Sequence, residues 1–287
     1  MPSSFWSNTI WYVLLAITSI ISLVFVVIKS RNRKFTIAFT LAILGFTYLL
    51  ESILAVSFNS YTYYPKIVDD SFQDAVLGNM FSQVSISCTT ALIIVYNLSY
   101  KWYFLIAFIY YLIENLFVNL GIYRHFWYRS IYTFVGLILL FWFVKMCYNK
   151  LIASSEYITH YIPLFLGAFA LAGNTIILPF KLLEMQIFKA DFYDSLSKNH
   201  TAANIIYIFF LLNILIHLYR WKFHWAYKGI AFAILFFTQY ILYKAGIIYF
   251  KNGWFFIVTL ADLLGFYFWI AVLDRLLSQK PHVPCNR

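Results

Sequence analysis

Seven carboxyl and amide side chains lie within long apolar stretches of this sequence: Glu51, Gln83, Glu114, Asn115, Asn119, Gln239 and Asp262. An ionisable group inside a bilayer is costly unless it is paired or hydrated, so each is a candidate for binding a ligand or carrying a proton. Two carboxyl groups held close together would share a proton, which is the chemistry of a proton-coupled carrier or a general acid.

Five of these groups stand at similar depth. The groups at similar depth are Glu51, Gln83, Glu114, Gln239 and Asp262. At ~1.5 Å of rise per residue, they are expected roughly 8–12 Å below one surface, and Asn115 and Asn119 are expected nearer that surface. The shared depth predicts the floor of one cavity, which opens to the outside. The alternative is that these groups only form hydrogen bonds between helices and hold the bundle together.

Motifs for common enzyme chemistry are absent from the sequence. It has no His-Glu-x-x-His zinc helix, no glycine-rich phosphate loop and no Gly-x-Ser-x-Gly elbow. His125 and His224 have no carboxylate at metal-binding spacing, and Cys88, Cys147 and Cys285 have none either, which favours a structural role for the cysteines. We therefore predict no catalytic residue, metal or cofactor, and we favour a protein that is not an enzyme.

The elements that must position these groups are transmembrane helices. Hydrophobic residues make up 63% of the 287 and charged residues 11%, against roughly 45–50% and about 25% in soluble domains. Nine stretches approach the ~20 residues that a membrane helix needs: residues 9–28, 35–56, 78–97, 102–121, 130–147, 160–178, 202–219, 226–245 and 254–273. The predicted fold is an all-α, polytopic bundle of about nine helices in a lipid bilayer.

Basic residues predict the orientation of this bundle. The net charge is +10, yet Lys and Arg cluster in short loops, as membrane topology requires, so nucleic acid is not an expected partner. Placing Lys29 to Lys34 in the cytoplasm puts 13 of the 21 Lys and Arg on that side. The N-terminus is then outside and the C-terminus inside, and the first helix is expected to be retained.

Two halves of the chain share a spacing. Asn79 precedes Gly121 by 42 residues and Asn204 precedes Gly246 by 42, while Glu114 and Gln239 each stand seven residues before those glycines. Four spans in each half predict a parallel duplication. The expected units are a first helix with a basic cytoplasmic loop (1–34), a first repeat (35–150), and a second repeat with a basic tail (151–287).

Local patterns add two expectations. Gly167, Ala168, Ala172 and Gly173 predict a close helix contact in the sixth span, which Pro179 would end. The mixed polar and apolar residues of 180–196 favour a helix lying at the outer interface, and a solvated loop is the alternative.

The motifs also resemble those of a known family. The chain carries Tyr63-Tyr64-Pro65, Leu77-Gly78-Asn79, Ser82-Gln83, Glu114-Asn115-Leu116-Phe117 and Gly246-Ile-Ile-Tyr-Phe-Lys-Asn-Gly-Trp254, with Lys280-Pro281 in a basic tail. It is similar to a family of small uncharacterised multi-pass membrane proteins of spore-forming Gram-positive bacteria. That resemblance implies a helical fold and the bacterial cell membrane, and it transfers no catalytic residue.

The first functional hypothesis is an outward-facing polar cavity that binds or transports a small amphipathic ligand, such as a lipid. Heavy aromatic content around the polar groups motivates it. One alternative is a non-catalytic membrane protein for interaction or assembly, in which the polar groups are structural. A weaker alternative is a membrane enzyme that uses Glu51 and Glu114 as acid and base on a lipid-linked substrate.

Overall fold

Nine helices form most of the structure, a computed structural model that describes residues 5–154, 156–221 and 224–280. Within that part, all nine are long and apolar enough to cross a membrane: α1 (Phe5–Lys29), α2 (Arg33–Ser57), α3 (Ser71–Val95), α4 (Tyr100–Asn119), α5 (Ser130–Ala153), α6 (Tyr157–Leu182), α7 (Leu196–Arg220), α8 (Trp225–Lys244) and α9 (Phe255–Leu277). The predicted all-α polytopic bundle is confirmed. Cys285, Lys222 and Pro281 lie outside the described residues.

Side-chain caps define where several helices begin. Asn32 accepts a hydrogen bond from the Phe35 amide at 3.2 Å before α2, and Asp70 accepts one from the Gln73 amide at 2.7 Å before α3. Such caps satisfy amides that have no partner within the helix. They therefore separate each span from the loop that precedes it.

Three helices contain a π-helical turn, at Phe5–Thr9 in α1, Ser52–Ser57 in α2 and Gly173–Ile177 in α6. A π turn admits an extra residue and rotates the side chains that follow it. Pro179 does not end the sixth span as expected, because it stands in the first turn of the helical piece Leu178–Leu182, where no backbone donor is required.

Two short antiparallel ribbons join the loops at one end of the bundle. They pair β1 (Tyr61–Tyr63) with β2 (Tyr123–His125), and β3 (Gln186–Phe188) with β4 (Ile248–Phe250). We call this the ribbon end. The N-terminal part of α1 lies there too, since the Thr9 hydroxyl donates to the Pro65 carbonyl at 2.7 Å.

The interfacial helix expected over 180–196 is wrong. The chain leaves α6 at Leu182, turns through Glu184 at a φ of 53°, and enters β3. Pairing continues beyond the strands, because the Lys189 amide donates to the Ile247 carbonyl at 2.8 Å. Hydrogen bonds to β4 therefore satisfy a backbone that a surface helix would have satisfied internally.

Both halves follow the same element order at a constant spacing. A separation of 125 residues relates the starts of corresponding elements in the two halves: β1 and β3, β2 and β4, α3 and α7, α4 and α8, and α5 and α9. Gly121 and Gly246 have φ values of 70° and 73° just before the second strand of each ribbon. A left-handed turn of this kind favours glycine.

Loop contacts repeat at the same spacing. Asp74 accepts hydrogen bonds from the amides of Ile67 and Val68, and Asn199, 125 residues later, accepts them from the amides of Phe192 and Tyr193. These equivalences support the parallel duplication, and the proposed boundaries at 34 and 150 stay a prediction.

The central contact of the bundle joins α2 to α6. A Cβ atom built at Gly45 would overlap the backbone carbonyl of Leu166, so the two helices meet backbone to backbone. Gly167 packs beside the side chain of Leu273 in α9. The predicted close contact of α6 is therefore present at Gly167, beside the approach of Gly45 to Leu166. Gly173 takes no part in it, because a Cβ at that position meets nothing within 4 Å.

Peripheral helices expose apolar faces. Outward side chains of α8 include Ile230, Ile234, Phe237 and Ile241, each more than half exposed. Apolar patches of this extent suit lipid rather than water. The molecule is therefore a multi-pass membrane protein.

The other end of the bundle carries the basic loop from Lys29 to Lys34, which joins α1 to α2. Lys280 donates to the Ser154 carbonyl at 2.6 Å, and Asn32 donates to the Gln279 carbonyl. His160 pairs with Asp274 at 2.8 Å nearby. These contacts tie the loops of this end to one another.

We expect Gly45→Ala to lower the free energy of unfolding by about 3 kcal/mol, because the new methyl group would force α2 and α6 apart. Thermal unfolding followed by circular dichroism in detergent measures this change. Gly229→Ala is the matched control, since a Cβ on exposed α8 meets nothing within 4 Å. Equal unfolding temperatures for the two variants would show that the close approach of α2 and α6 at Gly45 does not determine the stability of the bundle.

Candidate functional site

A central cavity of about 470 Å³ lies between the two halves at the ribbon end. Side chains of α2, α3, α6, α7 and β1 form its walls, among them Tyr48, Glu51, Asn79, Asn174, Lys181 and Asn204. The π turns of α2 and α6 both contribute, through Ser52 and Gly173. These two helices touch deeper in the bundle, so the cavity occupies the space where their irregular ends diverge.

A hydrogen bond crosses the wall of this cavity between the halves. The Tyr48 hydroxyl of α2 donates to Asn174 Oδ1 in the π turn of α6, at 3.2 Å. The π turn of α6 thus positions Asn174 at the cavity, while Tyr48 lies in the regular part of α2 just before its π turn.

An inner cavity of about 180 Å³ lies within the first half. It is lined by Glu51, Ser82, Gln83, Glu114, Tyr61 and Tyr128. This volume has room for several water molecules. Glu51 lines both cavities and therefore stands at the wall that they share.

Glu51 is buried, with 5% of its surface exposed. Its Oε2 atom accepts hydrogen bonds from the Tyr61 hydroxyl at 2.6 Å and from Gln83 Nε2 at 3.0 Å. Burial raises the pKa of Tyr61 well above its ordinary value, so the phenol keeps its proton and acts as the donor. The Oε1 atom has no hydrogen-bond partner among the described residues.

Glu114 reaches the inner cavity from α4. Its carboxyl group contacts His125 Nε2 of β2 at 2.8 Å and accepts a hydrogen bond from the Thr133 hydroxyl of α5. His125 and Glu114 thus pair although they are 11 residues apart in the sequence, because the turn before β2 brings the histidine back over the end of α4. The absence of a carboxylate at metal-binding sequence spacing is not contradicted by this pair. The Thr133 and Tyr128 hydroxyls lie 3.1 Å apart, so Thr133 can accept a hydrogen bond from Tyr128 while donating its own proton to Glu114. Burial raises the pKa of Tyr128 to about 12.

The second half holds a separate polar network. Asp262 of α9 is 0% exposed and accepts a hydrogen bond from the Tyr207 hydroxyl at 3.0 Å. Gln239 donates to that same hydroxyl and accepts from the Thr259 hydroxyl at 3.2 Å. Glu114 and Gln239 thus both bind a threonine at the start of the next helix.

Residue size distinguishes the halves at one pair of positions. Ser82 lines the inner cavity, and the residue 125 positions later is Tyr207, whose ring is buried against Asp262 and Gln239. A small side chain leaves open space in the first half, whereas a large one occupies the corresponding place in the second.

The prediction that the five polar groups at similar depth form the floor of one cavity is wrong. Glu51, Gln83 and Glu114 meet at the inner cavity. Asp262 is fully buried in the other half, and Gln239 faces a lateral apolar recess between α7 and α8. The depth of a residue along a helix does not determine which face of the helix carries its side chain. Side chains at equal depth can therefore lie far from one another in the bundle.

The remaining predicted positions lie nearer the ribbon end. Asn115 donates to the Tyr111 carbonyl at 2.7 Å and accepts from Ser130 at 3.4 Å, and Asn119 is exposed. Lys244 lies over the rings of Tyr240 and Tyr243 and forms no ion pair with Asp262. Ligand binding by the seven predicted residues stays a prediction.

Lys181 is the site residue that the sequence did not reveal. It is only 7% exposed, and its Nζ atom donates to Thr201 at 2.7 Å beside the ring of Phe72. Its position within an expected surface helix concealed this burial. The useful signal was Pro179, which is compatible with the first turn of a helical piece and so permits α6 to continue to the lysine two residues later.

Possible metal ligands do not cluster in the part of the chain that the structure describes, where no three His, Cys, Asp or Glu side chains could hold an ion together. Cys88 is buried and Cys147 half-buried, and both are free thiols. Glu51, Glu114 and Lys181 can contribute hydrogen bonding and charge pairing at the cavities.

Tyr61→Phe should lower the free energy of unfolding by about 1.5–3 kcal/mol, because it removes a donor to a buried carboxyl group. Chemical or thermal unfolding in detergent would report the loss. Tyr132→Phe, at an exposed position of α5, removes the same hydroxyl without that contact and serves as control. A Tyr61 variant as stable as the control would contradict the assigned hydrogen bond.

The geometry of the two cavities is the basis for interpreting this site. The resemblance to small membrane proteins of spore-forming bacteria stays a prediction that rests on the quoted motifs. No protein-family model, curated protein or solved structure matches the chain.

Proposed function

We propose that this protein binds or transports a small amphipathic ligand, which occupies the central cavity from the ribbon end. The observation that carries the proposal is a 470 Å³ cavity between the halves that combines buried polar groups with aromatic walls. Ligand sites are typically concave, largely apolar and supplied with a few placed polar groups.

Volume favours the central cavity over the inner one. Sites for small molecules generally measure about 300–1,000 Å³. The central cavity falls within that range, whereas the inner cavity, at about 180 Å³, is below it. We therefore assign the ligand to the central cavity and water to the inner one.

The walls of the central cavity favour an amphipathic molecule. Phe72, Phe169 and Ile177 offer apolar contact, while Asn79 and Asn204 offer hydrogen bonds. A purely polar solute would leave the aromatic surface in contact with water, and a hydrocarbon would offer no hydrogen-bond donor to Asn204 Oδ1, which has no partner among the described residues. A ligand with both characters avoids both costs.

The proposed setting is the bacterial cell membrane, with the N-terminus and the ribbon end outside. Its support is the clustering of Lys and Arg at the opposite end and the resemblance of the motifs to membrane proteins of spore-forming bacteria. The cavity would then receive its ligand from the outer side.

One observation favours the alternative of an enzyme that uses Glu51 and Glu114 as acid and base. Both carboxyl groups line the inner cavity. A lipid-linked substrate would have to reach that small space past Tyr61 and Tyr63, so ligand binding in the larger cavity is the function better supported. The alternative of an assembly protein predicts that filling either cavity leaves its role intact.

We expect Gly173→Leu to reduce retention of co-purified amphiphiles at least about tenfold, because its side chain would project into the central cavity. A Cβ at Gly173 meets no atom within 4 Å, so the fold should tolerate it. Native mass spectrometry of protein released from lipid nanodiscs would count the retained molecules.

Two matched variants complete this experiment. Gly136→Leu fills the inner cavity, and Gly229→Leu lies on the outer face of α8; a Cβ at either position also meets nothing within 4 Å. Ligand loss confined to Gly173→Leu supports the proposal. Equal retention by all three variants would refute binding in the central cavity.

A further inference from the structure

We propose that the ligand is a zwitterion, whose anionic group meets Lys181 and whose protonated amine meets Glu51. This inference rests on the proposed function and specifies the chemistry of the same cavity. Two buried, oppositely charged side chains face the cavity from different halves of the protein, and each retains unused hydrogen-bonding capacity.

Lys181 supplies the positive pole. Its ammonium group can donate three hydrogen bonds, and Thr201 accepts one. The ion pairs of the described residues are His125 with Glu114 and His160 with Asp274, so no carboxyl group within the described part pairs with Lys181. Asp70 acts on Lys181 electrostatically from beyond ion-pair distance, and an anionic ligand group in direct contact would further lower the cost of burying this cation.

Lys198 extends the positive wall. It lines the same cavity from the first turn of α7, with its Nζ atom 4.3 Å from the centre of the Tyr193 ring. Asn204 lies two turns further along α7 and also faces the cavity. The side of the cavity built by the second half therefore offers donors to a phosphate or carboxylate group.

Glu51 supplies the negative pole. It is the acidic residue among the described side chains that line the central cavity, and its Oε1 atom accepts no hydrogen bond there. The rings of Tyr48 and Tyr61 border the same space. Because Oε1 is itself enclosed by the cavity wall, the Glu51 carboxyl group would rotate to accept a hydrogen bond from a protonated amine, which would lie among aromatic rings that also attract cations.

A singly charged ligand would satisfy only one of these poles. An anion at Lys181 leaves the Oε1 atom of Glu51 without a hydrogen-bond donor, and a cation at Glu51 leaves the Lys181 ammonium group without an anion in direct contact. A molecule that carries both charges satisfies both, since opposite charges are placed against opposite charges. The phosphoethanolamine headgroup of a lipid and a free amino acid with an apolar side chain share this chemistry.

The test measures headgroup selectivity of the full-length protein in detergent by native mass spectrometry. Phosphatidylethanolamine, phosphatidylglycerol and a dialkyl trimethylammonium lipid with matched acyl chains are the probes. We expect the wild-type protein to bind phosphatidylethanolamine at least about tenfold more tightly than the other two.

Substitutions at each pole should change the preference in opposite directions. Glu51→Gln should shift selectivity toward phosphatidylglycerol by about tenfold, and Lys181→Met should shift it toward the cationic lipid by a similar factor. Controls are Asp194→Asn and Lys251→Met, which remove charges from exposed positions at the ribbon end. Either shift alone supports its pole if the other variant fails to fold.

Free phosphoethanolamine and leucine, added as competitors, identify the source of the ligand. Displacement of the lipid by either solute supports the zwitterion as a free solute, and its absence supports a lipid headgroup. Equal wild-type binding of phosphatidylethanolamine and phosphatidylglycerol, lost in Gly173→Leu, would overturn the zwitterion while leaving the proposed function intact. If Gly173→Leu leaves the binding of every probe unchanged, the proposed function itself is overturned.

Discussion

The backbone contact between α2 and α6 at Gly45 is the constraint on which the arrangement of the two halves depends. Only a glycine lets α2 approach the Leu166 carbonyl so closely. Because the helices meet there and change to π turns toward the ribbon end, their ends diverge. The central cavity is the consequence, and the Tyr48 to Asn174 hydrogen bond joins the halves across it.

Similar scaffolds have acquired different interiors in the two halves. The first half keeps two carboxyl groups around a cavity, whereas the second has Gln239 at the position of Glu114 and a half-buried Tyr207 at the position of Ser82. An amide and a phenol form hydrogen bonds without requiring a counter-charge. The second half therefore packs an amide and a phenol around Asp262, and the first half keeps its two carboxyl groups beside open space.

Sequence reasoning was most successful where composition alone determines structure. Apolar runs long enough to cross a bilayer identified all nine helices, because lipid leaves the backbone few alternatives. The ribbons escaped prediction because a three-residue strand has too little alternation to detect, and β1 pairs with a segment some 60 residues away. Glu51, Gln83 and Glu114 do meet, but depth could not separate them from Asp262. The burial of Lys181 depends on where α6 ends, and helix ends are poorly determined by sequence.

Glu51 is a wall of both cavities, and this shared position links their occupancies thermodynamically. A group bound beside Glu51 in the central cavity would act on a carboxyl group that also lines the inner cavity with Glu114. The contents of the inner cavity would then change when the ligand binds. Linkage is reciprocal, so a change in the inner cavity must alter the affinity for the ligand by the same factor. One shared side chain is thus sufficient to make two chambers of one protein respond to each other.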